Sequence, residues 1–267
     1  MHLLNNYMLD SLSLPAKLII DAYLNLCVGN VTCSAPYVNN RTSGIRGGLA
    51  VHVGKGTPKE ITEEIELLAK KKHINLVDFN EQQAKKFLVD HKIGIECSGF
   101  TYHLLDAEVK ARTGKPLASF INFPFIKNPL RKLLARHNPV TRTGTKSFAH
   151  NANSTEIAIA NVCAGDMIIM LGYGAKNDRD HVAVVEHVEK DMNTIIVHYV
   201  HSLAWKIDGK YNHGVRRGTI AISDQGKPLT HAVWEEQAKT GAQNQTLQNA
   251  KTATYLGIRR LHALSTP

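Results

Sequence analysis

Cys97 stands in the segment Ile95-Glu96-Cys97-Ser98-Gly99-Phe100, where a loop gives way to a helical pattern. Unpaired amides and the dipole at a helix start stabilise a thiolate, so a cysteine placed there has a physical reason to act as a nucleophile. A small residue packed under a turn explains Cys-Ser-Gly as well, and the choice depends on what else the chain supplies. A nucleophilic thiol needs a base within hydrogen-bond reach and a third group that orients the base. His181 heads the run His-Val-Ala-Val-Val, and Tyr199-Val200-His201-Ser202 offers a second imidazole further on. On antiparallel neighbouring strands these two can face one cleft. His198 has the opposite strand parity to His201 and is the alternative third residue. Thiolate and imidazole also suit zinc, but no His-Glu-x-x-His or Cys-x-x-Cys spacing accompanies them, so no metal is expected.

These residues act together only if the elements that carry them meet. Apolar positions at helical spacing from Ala16 to Val28, closed by Gly29-Asn30, predict a first helix. Thr57-Pro58-Lys59-Glu60 gives an N-cap, a first-turn proline and a glutamate three residues after the cap, so a helix runs from 58 to about 72. Another follows from about 80 to 91, and a third from Cys97 to about 112. The stretch Cys33 to Gly56 is irregular, with at most one strand at Leu49 to Val53. Residues 113–157 read as a long basic insertion with a short helix at 129–136. Beyond Gly165-Asp166 the period becomes that of strands: Met167 to Leu171, His181 to Val188, Thr194 to His201 and Val215 to Ser223. Trp234 to Ala250 reads as helical or loosely ordered, and Thr254 to Leu261 as a last strand. Helices first and a strand meander second make an α+β layout, with a mainly helical extension over 1–92 and a core over 93–267.

The Ile-Glu-Cys-Ser-Gly-Phe, Gly-Asp-Met-Ile, His-Val-Ala-Val-Val and Tyr-Val-His-Ser segments, in that order, resemble the NlpC/P60 group of papain-like cysteine peptidases and amidases over about residues 94–202. The resemblance implies a papain-like core whose antiparallel sheet packs on the nucleophile helix. It makes Cys97 the nucleophile, His181 the general base and acid, and His201 the orienting residue, with the Cys97 amide in the oxyanion hole and Ser98 and Glu96 around it. The implied reaction is amide hydrolysis through an acyl-enzyme, on the peptide part of peptidoglycan and without a cofactor. Acyltransferases share the fold group, so acyl transfer or attack on a non-wall amide is the alternative. Glu96 stands where the group has aspartate and Ala183 where glycine is common. The tyrosine that many members carry ahead of the cysteine has no obvious counterpart, which leaves one oxyanion donor unassigned.

The 267 residues carry a net charge of +9, and +7 of it lies between 91 and 150. Residues 110–146, with Phe120, Phe123 and Phe125, could contact an anionic polymer, and a basic nucleic-acid-binding protein is the reading from another functional class. The glycines near Gly44 to Gly56 lack a phosphate-loop ending, so no nucleotide cofactor is indicated. No apolar run is long enough for a membrane span. Cys27, Cys33, Cys97 and Cys163 read as reduced, mostly buried thiols. Met1 to Leu14 lacks the pattern of a signal peptide, so a cytoplasmic location is expected; a wall substrate would then require export by a non-standard route.

Overall fold

A computed structural model of the chain describes residues 10–40 and 49–265. Most of Met1 to Leu14 and the glycines from Gly44 to Gly48 thus lie outside the described residues. The architecture is α+β, with eight α-helices and an eight-stranded antiparallel sheet among the described residues.

The first helix, α1 (Leu14–Leu24), stops short of the expected end. Leu26–Val28 and Val31–Cys33 instead form a hairpin, β1 and β2, because Gly29-Asn30 is a tight turn in which Gly29 takes φ 62°. Cys27 lies on the outer face of this hairpin and is exposed, contrary to the expected burial, whereas the other three thiols are buried. Leu49 to Val53 forms no strand: Ala50–Val53 is a short 3-10 turn. The helices α2 (Pro58–Lys72) and α3 (Glu81–Asp90) both begin with a capping box, which satisfies amide groups that a helix start otherwise leaves unpaired.

The central helix α4 (Cys97–Thr113) is buried over most of its circumference, packed between α1 and the sheet. Glu108, fully buried on α4, accepts the Ser13 amide at 2.8 Å and pairs with Arg112, so it fastens the start of α1 to α4. The basic segment then forms α5 (Pro129–His137), α6 (Pro139–Arg142) and α7 (Thr145–Ala149), and its last residues form the edge strand β3 (Ser154–Ile157).

The sheet continues through β4 (Met167–Tyr173), β5 (Arg179–Lys190), β6 (Ile195–Leu203) and β7 (Gly214–Ile222). Trp234 is not helical; it sits in β8 (Val233–Glu236), which is followed by β9 (Lys239–Thr240) and the helix α8 (Gln245–Thr252). The chain closes with β10 (Tyr255–Leu261), and the strand order is β3-β10-β4-β5-β6-β7-β8-β9. Strand alternation splits the core. Val182, Val184 and Val200 face the helical layer, while Ala183, Val185, Val197 and Tyr199 face a second core with Trp234. The N-terminal helices share the first core with α4, so they are integral to it. No helix among the described residues is long and apolar enough to cross a membrane.

Candidate active site

Ile95 is the hub that fixes the start of α4. It bridges Tyr37 on one side and Lys55 on the other, and its carbonyl accepts the Ser202 hydroxyl at 2.8 Å from the end of β6. Glu96 N donates to the Gly54 carbonyl at 3.0 Å. A Cβ on Gly99 would lie 2.4 Å from that same oxygen, so the third residue of Cys-Ser-Gly must be glycine for the helix to enter here. Lys55, 5% exposed, donates to Ser98 Oγ at 2.7 Å and the Thr143 carbonyl at 2.9 Å, and pairs with Glu96 Oε1 at 2.6 Å. Ser98 Oγ in turn donates to Glu96. Ser98 and Glu96 are thus occupied in a buried network under the helix start, with Lys55 as a member that sequence reasoning missed.

Cys97 is the first residue of α4 and lines a cleft of about 810 Å³ with Tyr37, Thr145, Tyr173, Leu203 and Asp180. The Val182 amide, one residue past His181, lies near enough to the sulfur to favour its thiolate, and Thr145 Oγ1 lies 3.9 Å away. Burial pushes the thiol up to about 11, aided by Glu96; the Val182 amide, Lys55 and Thr145 offset only part of this. The expected helix-start thiolate is therefore corrected: desolvation outweighs the local dipole, and Cys97 rests as a neutral thiol.

His181 and His201 come together in the sheet. His181 Nε2 lies 2.7 Å from His201 Nδ1, with the rings edge to face. His201 Nε2 lies 3.3 Å from Glu236 Oε1, to which the Tyr199 hydroxyl also donates. All four side chains are almost wholly buried. Burial pushes the Glu236 carboxyl up, but His201 and the hydroxyls of Tyr199 and Thr246 outweigh it and hold the group below its usual range. His201 Nε2 faces the Glu236 carboxylate at ion-pair distance but makes no well-aligned hydrogen bond; with the His201 proton on that nitrogen, Nδ1 is bare and accepts from His181 Nε2–H. His181 Nδ1 is then a lone pair, and it is buried with no hydrogen-bond partner. Burial holds His181 well below its usual pKa, so it is neutral at pH 7. A Cβ on Gly218, the strand partner of Tyr199, would come within 2.6 Å of both Tyr199 and Glu236; glycine there makes room for the relay.

His198 is not brought to this site: it is partly exposed and pairs with Glu189 at 3.0 Å. Its strand parity carries this signal, since it faces away from His201 across the pleat. Tyr37 does reach the cleft. Its amide donates to His213 Nδ1 at 3.0 Å and its hydroxyl accepts from Asn39 at 2.9 Å. Burial first, and a charge on Cys97 second, push that hydroxyl well above its usual range, so it stays protonated beside the thiol. Of the phenylalanines in the basic segment, Phe123 is core and Phe125 is exposed; the segment's contribution to the cleft wall is Gly144 and Thr145. Comparison of the chain with models of protein families, with curated proteins and with solved structures finds no match in any of the three.

Proposed function

We propose that the protein is a cysteine hydrolase that cleaves amide bonds through an acyl-enzyme on Cys97, on a papain-like core of the NlpC/P60 type. The observation that carries the reading is the buried Glu236–His201–His181 chain. It ends in an unpartnered Nδ1 on the strand whose next amide lies beside the Cys97 sulfur.

Both partners rest neutral, so the chemistry starts from thiol and imidazole rather than from a preformed ion pair. In the resting structure the Cys97 sulfur makes no hydrogen bond to His181, so the two must close to hydrogen-bond distance as the sulfur attacks the substrate carbonyl carbon and its proton passes to His181 Nδ1. His201 and ionised Glu236 stabilise the imidazolium that forms. The Cys97 amide at the helix start and the Tyr37 hydroxyl are the donors placed to stabilise the oxyanion, and Tyr37 fills the role left unassigned by sequence. Collapse breaks the C–N bond while His181 returns the proton to the departing amine. Water, deprotonated by His181, then cleaves the thioester and releases the carboxylic acid.

The substrate class proposed is the peptide part of peptidoglycan, by the sequence resemblance. Lys176, Arg179, Asp178 and Asp180 along the cleft supply both charge signs, as a peptide bearing amine and carboxylate groups requires. Incubation with soluble wall peptides, read by mass spectrometry, should show a new amine terminus and a transient acyl adduct on Cys97. Cys97→Ala abolishes both. Cleavage that persists in Cys97→Ala contradicts the proposal.

A further inference from the structure

The helix α5 is inside out. A surface helix ordinarily turns its apolar stripe to the core. Here Leu130, Leu133 and Leu134 are 72%, 55% and 66% exposed, whereas the fully buried residue is Ala135. At 3.6 residues per turn the three leucines fall within an arc of about 100°, and Ala135 lies on the opposite side. Arg131 flanks the leucine stripe on one edge and Arg136 on the other, while the half-buried Lys132 lies beside Ala135 on the opposite side. Phe125, 62% exposed, stands in the loop that leads into the helix. Among the described residues nothing buries the three leucines, Phe125 has only the His150 ring against it, and a nine-residue helix gains little stability from its own backbone.

The electrostatics of the surrounding chain are as one-sided. Residues 109–155 contain nine lysines and arginines and no aspartate or glutamate. Lys127, Arg131, Lys132, Arg136 and Arg142 form no ion pair among the described residues. An outward apolar stripe bordered by unpaired cations is what an element needs to lie in the interface of a bilayer, with leucines at the acyl boundary and cations on lipid phosphates.

We propose that α5 and Phe125 form an interfacial anchor that docks the protein on the surface of an anionic lipid bilayer. A soluble polyanion would use the cations alone, because it has no apolar phase to receive three leucines. The anchor is separate from the thiol chemistry and stands whether or not Cys97 is a nucleophile.

The test is co-sedimentation of the full chain with vesicles of phosphatidylcholine alone and of phosphatidylcholine with about 30% phosphatidylglycerol, an anionic fraction sufficient to attract basic segments. The wild type should partition onto the anionic vesicles, less so as salt rises, and only weakly onto the neutral ones. L130Q/L133Q/L134Q keeps the net charge and should lower partitioning more than about thirty-fold, from the lost burial of three leucines. R131Q/K132Q/R136Q should also lose binding. Both variants alter exposed or half-exposed positions, so the Cys97 alkylation rate and thermal midpoint should stay as in the wild type. The proposal is overturned by a wild type that ignores both vesicles, or by a leucine variant that binds as tightly as the wild type. It is equally overturned if the leucine variant only converts a dimer to a monomer, or if long-chain polyphosphate is bound equally by wild type and variant while vesicles are not.

Discussion

Replacing Glu236 separates the charge of the relay from its geometry. The Tyr199 hydroxyl donates to Oε1 and His201 Nε2 faces the same oxygen at ion-pair distance without a well-aligned hydrogen bond, while Oε2 has no hydrogen-bond partner. In Glu236→Gln the amide oxygen can therefore stay at the Oε1 position and keep both contacts, so the proton positions on the two histidines persist and only the negative charge is lost. The His181 and His201 ring centres are 4.9 Å apart and His201 Nε2 lies 3.3 Å from Glu236, which puts the charge roughly 8 Å from the His181 ring. With an effective dielectric constant of about 20, a unit charge at that distance stabilises the His181 imidazolium by about 2 kcal/mol, or roughly thirty-fold in the population of the reactive ion pair. Glu236→Ala removes the acceptor as well, frees the His201 proton to sit on either nitrogen, and should cost 10²- to 10⁴-fold, about the full value of a positioned base. The assay is the second-order rate of Cys97 alkylation by iodoacetamide, resolved by mass spectrometry, with the thermal midpoint recorded for each variant. Equal rates for wild type, Gln and Ala variants, all still folded, would show that Glu236 merely fills space and would refute the relay.

Two further outcomes follow from buried groups. Lys55→Met leaves Glu96 without its cation beneath the start of α4, which should destabilise the protein by about 3 kcal/mol in urea unfolding, and Lys55→Met/Glu96→Gln should recover part of the loss; an unchanged midpoint would rule out the network as a support. Burial, with Lys85 and Arg216 nearby, pushes His213 down to about 4, and burial likewise holds His103 and His181 below their usual range. The unfolded chain takes up protons near pH 6.5 that the folded chain refuses, so stability is full above that pH and falls as pH drops from about 6.5 towards 4. Calorimetry should show the thermal midpoint decreasing over that window, and a constant or rising midpoint would contradict the assigned neutral histidines.

Local patterns in the sequence were sufficient for the elements that carry the site. The 3.6-residue period places Cys97 at a helix start, and the period of two places His181 and His201 on neighbouring strands. The missing members are those that only tertiary pairing delivers. Val233–Glu236 is too short and too polar to read as a strand, so Glu236 enters the relay only because β8 pairs with β7. Tyr37 lies in an irregular stretch and reaches the cleft through its bridge to Ile95. The state of the Cys97 thiol is beyond local pattern for a related reason: a helix start is a local feature, whereas desolvation depends on the whole fold. In α5 the leucine spacing reveals a helix but not which way its stripe faces.

The proposed activation of Cys97 by His181 can be measured against controls that the protein itself contains. Burial pushes the Cys33, Cys97 and Cys163 thiols alike up to about 11, and all three are under 10% exposed. Burial alone therefore predicts three equally sluggish thiols. Site-resolved alkylation at pH 7 should instead show Cys97 reacting at least about a hundred-fold faster than Cys33 and Cys163, the scale of general-base assistance. That advantage should disappear in His181→Ala while the other two rates stay unchanged. Three thiols of matching reactivity, or a fast Cys97 indifferent to the loss of His181, would contradict the account.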